Sequence, residues 1–453
     1  METFENKSGN SSTSITIPCK PDYSFLEKTY RKNEIIVSFE EVPTKEQIEI
    51  VKGYFHKMGI KDIKINTCDN CELPVQLWQA ENIHTIISGK TIKAGSGPGT
   101  GTVGEHYSLN FLSEIPYHNW DKSAKQTYKA EKSTLKEVVT IAVLDTGIDP
   151  FIVDQGYIAH DLQNQPGNEC FAEVQNGWNF VDNNADIEDD NPGRHGSLVT
   201  QFIINEFKKS EDRTVRIIPL KTHDRNGEGD LFKIFCAAFY AIAKGAQIIN
   251  ASWGFYYYES LPYEPLKILI DVLHNKGILL VTAAGNQDKS DDRIAEEIYR
   301  IKHHGGHLNA FQLRDLAIHQ FLPACLSNTE ANLITVTTTD GVNVAPTENH
   351  SNAFVDIGVI ADKNQNEDLW FNVPFEQSSA GAVVRGSSFA TAIATGIIGA
   401  NCGSELYTAN TINKQLFIAK LFEITRNIAG SDLCTKHAGL SQRLIKNGVC
   451  IQK

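Results

Sequence analysis

The sequence lacks several features that mark common classes of protein. Its 453 residues contain no uninterrupted apolar run of membrane-spanning length, and residues 1–10 are polar, without the apolar core of a secretion signal. Acidic residues outnumber basic residues, 55 to 42, so the basic surface that nucleic-acid binding requires is not expected. We therefore expect a cytoplasmic protein with no membrane and no nucleic-acid partner.

Paired cysteine spacings are also missing. The nine cysteines are an odd number scattered along the chain, so no disulfide framework is predicted and reduced, mostly buried thiols are expected. Cys68 and Cys71 form half of a zinc pattern, but no second pair follows, and no metal site is predicted there. The acidic loop 182–190 is open to a structural calcium ion, although a solvated loop is the commoner case. No other cofactor is predicted.

The first part of the chain predicts a flexible arm and a small α+β domain. Residues 1–32 are rich in Ser, Thr, Asn and Lys, which is typical of an arm. The α+β domain is predicted over residues 33–92 because strand and capped-helix patterns alternate there, as in ferredoxin-like folds. These patterns lie at 34–39, 44–58, 63–65 and 73–78.

A Gly-rich and polar linker is predicted over residues 93–130. Within it, Gly99–Gly104 matches the GxGxxG pattern of dinucleotide sites. No strand of useful length leads into this match and no apolar helix follows it, so a linker is favoured over a nucleotide site.

From about residue 131, buried strands alternate with helical patterns. The clearest helical pattern lies at 231–243. Continuous apolar, β-branched runs are typical of strands that are buried on both faces of a parallel sheet. They occur at 138–144, 216–220, 247–251, 278–283 and 332–338. We therefore predict an α/β domain over residues 131–453, with a parallel sheet and helices on both faces.

Three residues in this domain stand at positions suited to catalysis. Asp145 follows a buried strand, where α/β proteins place ligand-binding groups. His195 and Ser388 each lie at a turn into a helix, and a helix N-terminus favours negative charge developing beside it. Taken singly, a structural histidine and a helix-capping serine would be the simpler interpretations.

Together these residues resemble the signatures of the subtilisin-like serine proteases. Asp145 stands in Leu-Asp-Thr-Gly-Ile-Asp, His195 in Arg-His-Gly-Ser and Ser388 in Gly-Ser-Ser-Phe-Ala, in the family's order. Residues 249–254 are similar to the family's substrate-binding strand, and residues 283–286 to its oxyanion motif. Five ordered motifs over about 250 residues make this a specific resemblance.

The resemblance implies a role for each site residue. Ser388 would attack the peptide carbonyl, His195 would take its proton, and Asp145 would orient the imidazole. The amide of Asn286 would stabilise the oxyanion. An extended substrate would pair with two backbone edges as an added strand. The residues of these edges are Ser252, Trp253 and Gly254 on one side and Gly227, Glu228 and Gly229 on the other.

The sequence departs from the family's pattern at a few positions. Ser387 replaces the usual Thr before the nucleophile, which leaves two adjacent hydroxyls to choose between, and Ala392 replaces the usual Pro. Ser197 replaces Thr after the His-Gly pair. Residues 287–320 are charged and helical in pattern, and are predicted to form an insertion beside the pocket for the residue that precedes the scissile bond. The insertion would be a lid or an exosite.

The resemblance implies a serine endopeptidase that acts on protein or peptide substrates. By position and element order, residues 33–92 resemble the family's propeptide, which implies a latent or self-processed precursor cut near residues 95–104 or before residue 131. A permanent accessory domain is the alternative for this region. The alternative function is a protease-like scaffold that is catalytically silent or is activated by a regulatory protein partner. An α/β-hydrolase esterase is excluded because it requires G-x-S-x-G and places Ser before His.

Overall fold

The computed structural model describes residues 29–68, 73–88, 105–116, 136–160, 162–165, 177–258, 263–341, 343–366, 368–375, 378–426 and 444–446. They form an N-terminal domain, described up to residue 116, and a large domain, described from residue 136. One cluster of buried apolar side chains contains Trp78 of the first domain and Tyr263 of the second, so the domains share a core. The predicted arm lies outside the described residues up to residue 28.

The N-terminal domain packs helices on an antiparallel sheet. Strands and helices follow in the order β1 (Tyr30–Phe39), α1 (Lys45–Lys57), β2 (Lys64–Asn66), β3 (Val75–Gln79), α2 (Ile83–Ser88) and β4 (Glu105–Glu114). In the five-stranded sheet the order is β2-β3-β1-β4-β8, and the last strand, β8 (Glu228–Asp230), comes from the large domain. Helix α1 begins with a capping box between Thr44 and Gln47, and Phe55 on its buried face contacts Trp78 and Tyr107 of the sheet.

Strand β4 lies inside the segment that the sequence predicts as a linker. Its side chains Tyr107, Leu109 and Phe111 alternate and are buried, and the strand pairs antiparallel with β1. The structure therefore differs from the linker prediction over residues 105–114. This period-two pattern is the signal that could have identified the strand, but its partner strand lies far away in the sequence. The Gly-rich stretch 95–104 lies outside the described residues.

The large domain alternates strands and helices, as predicted. Its elements are β5 (Glu137–Asp145), β6 (Trp178–Asn179), α3 (His195–Phe207), β7 (Arg213–Lys221), β8 (Glu228–Asp230), α4 (Leu231–Ala243), β9 (Ile248–Ala251), β10 (Phe255–Tyr256), α5 (Glu264–Asn275), β11 (Leu279–Ala283), α6 (Lys289–Lys302), α7 (Ala310–Arg314), β12 (Phe321–Leu322), β13 (Leu333–Thr339), β14 (Ile357–Ile360), β15 (Asp362–Lys363), β16 (Leu369–Phe375), β17 (Ser378–Val384), α8 (Ser387–Asn401), α9 (Lys414–Arg426) and β18 (Leu444–Lys446).

The main sheet of the large domain has the strand order β18-β14-β13-β11-β9-β5-β7-β6. Every neighbouring pair is parallel except β14 and β18. Helices cover both faces, because Ile141 and Val143 of β5 pack in one apolar cluster with α3 and α8, whereas Ala142 and Leu144 pack in another with α4 and α5. The predicted α/β fold is confirmed.

The parallel arrangement places the ends of three central strands at one rim. Strand β5 ends at Asp145, β9 at Ala251 and β11 at Ala283. Because side chains that follow parallel strands gather at the carboxyl edge of the sheet, this rim is where a site is expected.

A disulfide bond between Cys68 and Cys236 joins the two domains. The prediction of reduced thiols is therefore wrong for this pair, because cysteines 168 residues apart are brought together only by domain packing. Cys325 and Cys402 are free and buried, and burial raises the pKa of each thiol to about 12. The remaining cysteines, Cys19, Cys71, Cys170, Cys434 and Cys450, lie outside the described residues. The cytoplasmic location stays a prediction.

No helix in the described ranges combines the length and the apolar composition that a membrane span requires.

Candidate active site

Asp145 and His195 form a buried pair at the rim of the sheet. Asp145 ends β5, and its Oδ1 lies 2.8 Å from Nδ1 of His195, the first residue of α3. The same oxygen accepts the backbone N–H of Thr146. Because a carboxylate oxygen accepts hydrogen bonds, this contact suits the imidazole tautomer with its proton on Nδ1, in which Nε2 is an acceptor.

Two glycine-containing turns bring this pair together. A Cβ on Gly196 would lie 2.4 Å from the carbonyl oxygen of Gly147, so only glycine permits this backbone approach. Asp189 links the turns, because its carboxylate accepts the N–H and hydroxyl of Ser197 and the hydroxyl of Thr146. Burial raises the pKa of Asp189 to about 6. The sequence marks this residue only as part of an acidic loop and does not indicate this role.

Ser388 stands in the first turn of α8, after Gly386 at φ +119°. Among the described residues no side chain caps this helix end, so neither serine acts as an N-cap. The hydroxyl of Ser387 donates to Oδ1 of Asn286, 3.0 Å away, whereas the hydroxyl of Ser388 is directed at Ser252. The two adjacent hydroxyls therefore have different surroundings, and Ser388 is the one beside the predicted substrate edge.

The hydroxyl of Ser388 is bound to the backbone in this structure. Its Oγ donates to the carbonyl oxygen of Ser252 at 2.9 Å, and the hydroxyl of Ser252 donates in return to the carbonyl oxygen of Ser388. The His195 ring lies beside the next residue, 5.1 Å from the centre of the Phe389 ring, and its Nε2 has no hydrogen-bond partner among the described residues. The serine–histidine bond is thus not formed, as is common before substrate binds.

Asn286 lies directly against the turn that precedes Ser388. Its Oδ1 accepts the backbone N–H of Ser387 at 2.8 Å, which leaves the Nδ2 amide available to another acceptor. Oε2 of Glu348 accepts the same N–H, also at 2.8 Å. Burial raises the pKa of Glu348 to about 8, so this carboxyl is neutral at pH 7 and adds no negative charge beside the amide. No sequence pattern pointed to Glu348.

Strand β4 lies between the two backbone edges that were predicted to hold a substrate. The N–H of Glu114 donates to the carbonyl of Gly254, and the N–H of Ile115 donates to the carbonyl of Gly227. Strand β4 also pairs antiparallel with β8. We call the space between these edges the groove. The structure therefore pairs the predicted edge residues Gly254, Gly227, Glu228 and Gly229 with a segment of the chain itself, and Ser252 and Trp253 directly precede Gly254 on its edge.

The register of this added strand identifies the residue nearest Ser388. Glu114 is paired antiparallel with Gly254. Since partners in such a ladder move in opposite directions, Pro116 stands opposite Ser252 when the register is extended by two residues. The hydroxyl of Ser388 is bound to the carbonyl of Ser252, so the extended register places Pro116 opposite the residue that holds this hydroxyl.

Further contacts hold the N-terminal domain at the groove. Arg31 forms a 2.6 Å ion pair with Glu228, and the Ser113 hydroxyl lies 3.2 Å from Nε2 of His223. Burial lowers the pKa of His223 to about 4, so this imidazole is neutral at pH 7. The β4 segment is therefore fixed by side chains as well as by the backbone ladder.

The predicted insertion is anchored in the protein interior. It contains helices α6 and α7, and Arg314 at the end of α7 is buried. The Arg314 guanidinium pairs with Asp292 and donates to the hydroxyl of Tyr256, which in turn donates to the carbonyl oxygen of Asn286 at 2.7 Å. The insertion thus supports the backbone of the residue predicted to bind the oxyanion.

The acidic loop 182–190 uses its carboxylates within the protein. Asp189 is bound to the two turns described above, and Asp190 pairs with Lys221 at 2.5 Å. In the described parts of the chain, no group of three or more His, Cys, Asp or Glu side chains is arranged to hold a metal ion. Cys68 of the zinc half-pattern forms the disulfide bond with Cys236, and Cys71 lies outside the described residues.

Sequences of known proteins are similar to this chain in the region that carries the site. The profile of the Subtilase family matches residues 136–413. A thermophilic serine proteinase of Bacillus sp. (strain AK1) is 33% identical over 276 residues, 58% of this chain and 60% of that protein. The cell wall-associated protease of Bacillus subtilis (strain 168) is 34% identical over 120 residues, 25% of this chain and 12% of that protein. The matches thus span less than two thirds of these relatives.

Solved structures share the fold. The epidermin leader peptide processing serine protease of Staphylococcus aureus superposes with a TM-score of 0.50 at 13% identity, over 90% of this chain and 97% of that one. Fervidolysin of Fervidobacterium pennivorans, a keratinolytic enzyme related to subtilisin, superposes with a TM-score of 0.50 at 15% identity, over 92% of this chain and 60% of that one.

Proposed function

Because the chain belongs to the subtilase family, we propose that it is a serine endopeptidase that cleaves protein or peptide substrates through an acyl-enzyme. The observation that carries this proposal is the convergence of four groups at one rim. The Asp145–His195 pair, the Ser388 hydroxyl and the amide of Asn286 lie at the carboxyl edge of the sheet, and Ser388 is bonded to Ser252 on one edge of the groove.

The roles follow from the chemistry of each group. A serine hydroxyl is protonated at neutral pH, so Ser388 attacks the carbonyl carbon only as His195 Nε2 takes its proton. Asp145 keeps that nitrogen unprotonated beforehand and stabilises the imidazolium that forms. His195 then donates the proton to the leaving amine, and water attacks the acyl-enzyme by the same route.

The charge that develops on the substrate oxygen is bound by donors that are already in place. These are Nδ2 of Asn286 and the backbone N–H of Ser388 at the start of α8, where the helix dipole adds to the effect. In subtilisin, removal of one such donor costs roughly 10²–10³ in rate. The neutral carboxyl of Glu348 leaves this anion site free of an opposing charge at pH 7.

We further propose that the chain is made as a latent precursor. The support is that residues 112–115 occupy the groove as an added strand, which excludes a substrate strand from the same hydrogen bonds. In this register the bond after Pro116 is the one that Ser388 cuts. That position lies between the strand and residue 131, in the second of the two regions expected from the sequence.

The disulfide bond gives a reason to consider activation by a partner. After a cut at residue 116, the N-terminal domain remains attached through Cys68 and Cys236, and the groove remains filled. Opening the groove then requires reduction of the bond or a protein that displaces the domain. A catalytically silent scaffold is the competing function, favoured only by the unformed Ser388–His195 hydrogen bond.

A fluorophosphonate probe tests the proposed activity. We expect it to label Ser388 in the wild-type protein after treatment with a reductant, and to label a Ser387→Ala variant at the same residue. A Ser388→Ala variant should not be labelled. Labelling that persists in Ser388→Ala would overturn the assignment, and a wild-type protein that is neither labelled nor active on peptides would support the scaffold.

A further inference from the structure

The ring of Phe321 fills the space between two glycines of the active site. A Cβ on Gly254 would lie 2.2 Å from Cε1 of Phe321, and a Cβ on Gly285 would lie 2.9 Å from its Cδ1. Gly254 belongs to the substrate edge, and Gly285 directly precedes Asn286. The two missing side chains leave a slot beside the nucleophile, and a phenyl ring occupies it.

Strand geometry places the substrate side chain before the scissile bond on the face of this slot. Residues paired directly in an antiparallel ladder point to the same face, and so do residues two positions apart in one strand. The residue opposite Ser252, which precedes the scissile bond, therefore shares the face of Gly254. That face is the one closed by Phe321.

Phe321 is held firmly in this position. It belongs to β12, which pairs antiparallel with β10, and its ring meets the Tyr256 ring edge-on at 5.0 Å between centres. Only 8% of its surface is exposed, so the ring lies within the slot and does not cover it from outside. Tyr256 is itself bonded to Asn286 and Arg314, which limits movement of the pair.

We propose that Phe321 sets the specificity of the enzyme by restricting the residue before the scissile bond to small side chains, including proline. The inference rests on the proposed peptidase function and deepens it. The chain's own segment agrees with it, because Pro116 is the residue that the register places opposite Ser252. A large aromatic or branched side chain at this position would meet the Phe321 ring, which is buried and packed against the Tyr256 ring.

The test compares peptides that differ only at the residue before the cut, with Ala, Leu or Phe there. Wild-type enzyme should cleave the Ala peptide with the highest kcat/KM. Phe321→Ala should raise the Phe-to-Ala ratio of kcat/KM at least ten-fold, in line with the roughly 10–200-fold effect of small changes in a hydrophobic pocket. Phe321→Leu should shift the Leu-to-Ala ratio in the same direction by less, and serves as the variant that preserves packing.

The ratio does not depend on how much of each variant folds, since both peptides meet the same active sites. Phe311→Ala in α7 is the matched control, because that ring is 53% exposed and its removal should leave the ratio unchanged. Unchanged ratios in both Phe321 variants, with Ser388 still labelled by the probe, overturn the specificity inference alone. Absence of both labelling and cleavage in wild type overturns the proposed function, and the specificity inference with it.

Discussion

The two domains meet at the groove, where one supplies reactive groups and the other supplies a strand that blocks them. The large domain supplies the groups suited to attack, at the ends of β5 and at the starts of α3 and α8. The N-terminal domain supplies a strand that lies where the attacked peptide would lie. The difference teaches that the same groove geometry serves for binding a substrate and for blocking one. Substitutions in the large domain should therefore lower activity, and those that loosen the N-terminal domain should raise it.

The largest effect is expected from Asn286→Ala in the large domain. Loss of its Nδ2 donor should lower kcat by roughly 10²–10³, with little change in KM, because the oxyanion exists only along the reaction path. Steady-state kinetics on a reference peptide measure the effects on kcat and on KM separately. The fluorophosphonate probe counts the active sites. A loss confined to KM would show that Asn286 binds substrate and does not act on the transition state.

The next largest effect should come from Cys68→Ser in the N-terminal domain. Without the disulfide bond, a domain cut at residue 116 is held only by non-covalent contacts, and it loses the roughly 10²-fold or greater advantage of a tethered ligand. Peptide hydrolysis by the cut, unreduced enzyme should rise accordingly at dilute concentration. Reduction of the wild-type protein should give the same rise.

Electrophoresis of the cut protein provides the control for this experiment. The N-terminal fragment should separate from the large domain only under reducing conditions in wild type, and under both conditions in Cys68→Ser. If wild-type activity does not respond to reductant although the fragment is released, the N-terminal domain is an accessory domain and not an inhibitor.

A smaller effect is expected in the pH dependence of stability. Burial raises the pKa of Glu348 from 4.5 to about 8, so between these values the native state holds a proton that the unfolded chain releases. The stabilisation is complete below pH 4.5 and is lost as the pH rises towards 8. Glu348→Gln cannot ionise, so its free energy of unfolding should fall less between pH 5 and pH 8. The scale is on the order of 1 kcal/mol per pKa unit.

Urea unfolding at pH 5 and pH 8 measures this difference. Asp189 and Asp291 also have raised pKa values, of about 6 and about 7, so part of the wild-type decline should remain in the variant. Glu40→Gln at the exposed end of the first domain's sheet is the control and should follow wild type. Equal declines in Glu348→Gln and wild type would show that Glu348 is already ionised in the folded protein.

The smallest effect is expected from the charges on the blocking strand. Glu114 lies directly opposite Glu228, and burial, Asp288 and Glu228 all raise its pKa. Glu114→Gln removes a like-charge pair, whose cost is about 0.2–1 kcal/mol, so inhibition should tighten by roughly 1.5- to 5-fold. Arg31→Gln removes the ion pair with Glu228 and should weaken inhibition. The residual activity of the reduced, cut enzyme measures the strength of inhibition in each variant. If inhibition changed in the same direction in Glu114→Gln and Arg31→Gln, the proposed charge effects would be contradicted.

The site of the large domain could be predicted because its chemistry restricts residue types over short stretches. Asp145, His195 and Ser388 each stand in a local motif, and the fold that unites them follows from the buried strands between. Glu348 and Phe321 could not be identified in this way. Each is an ordinary residue whose role depends on what surrounds it after folding.

The contribution of the N-terminal domain was harder to predict because it also depends on contacts that form only after folding. Its early strands and helix α1 have clear patterns. Strand β4 lies beyond a Gly-rich stretch, and its role depends on its pairing with β1 and β8. The Cys68–Cys236 bond likewise joins positions that only tertiary structure brings together. Long-range pairing leaves little trace in a single sequence.

The central claim is that Ser388 is the nucleophile and that the chain's own strand lies in its groove. The most direct test is the mass of the purified full-length chain. Wild-type protein should yield, after reduction, a large fragment whose N-terminal residue is Tyr117, and Ser388→Ala protein should remain uncut. A wild-type fragment that begins elsewhere, or the same fragment from Ser388→Ala, would contradict this register and this nucleophile.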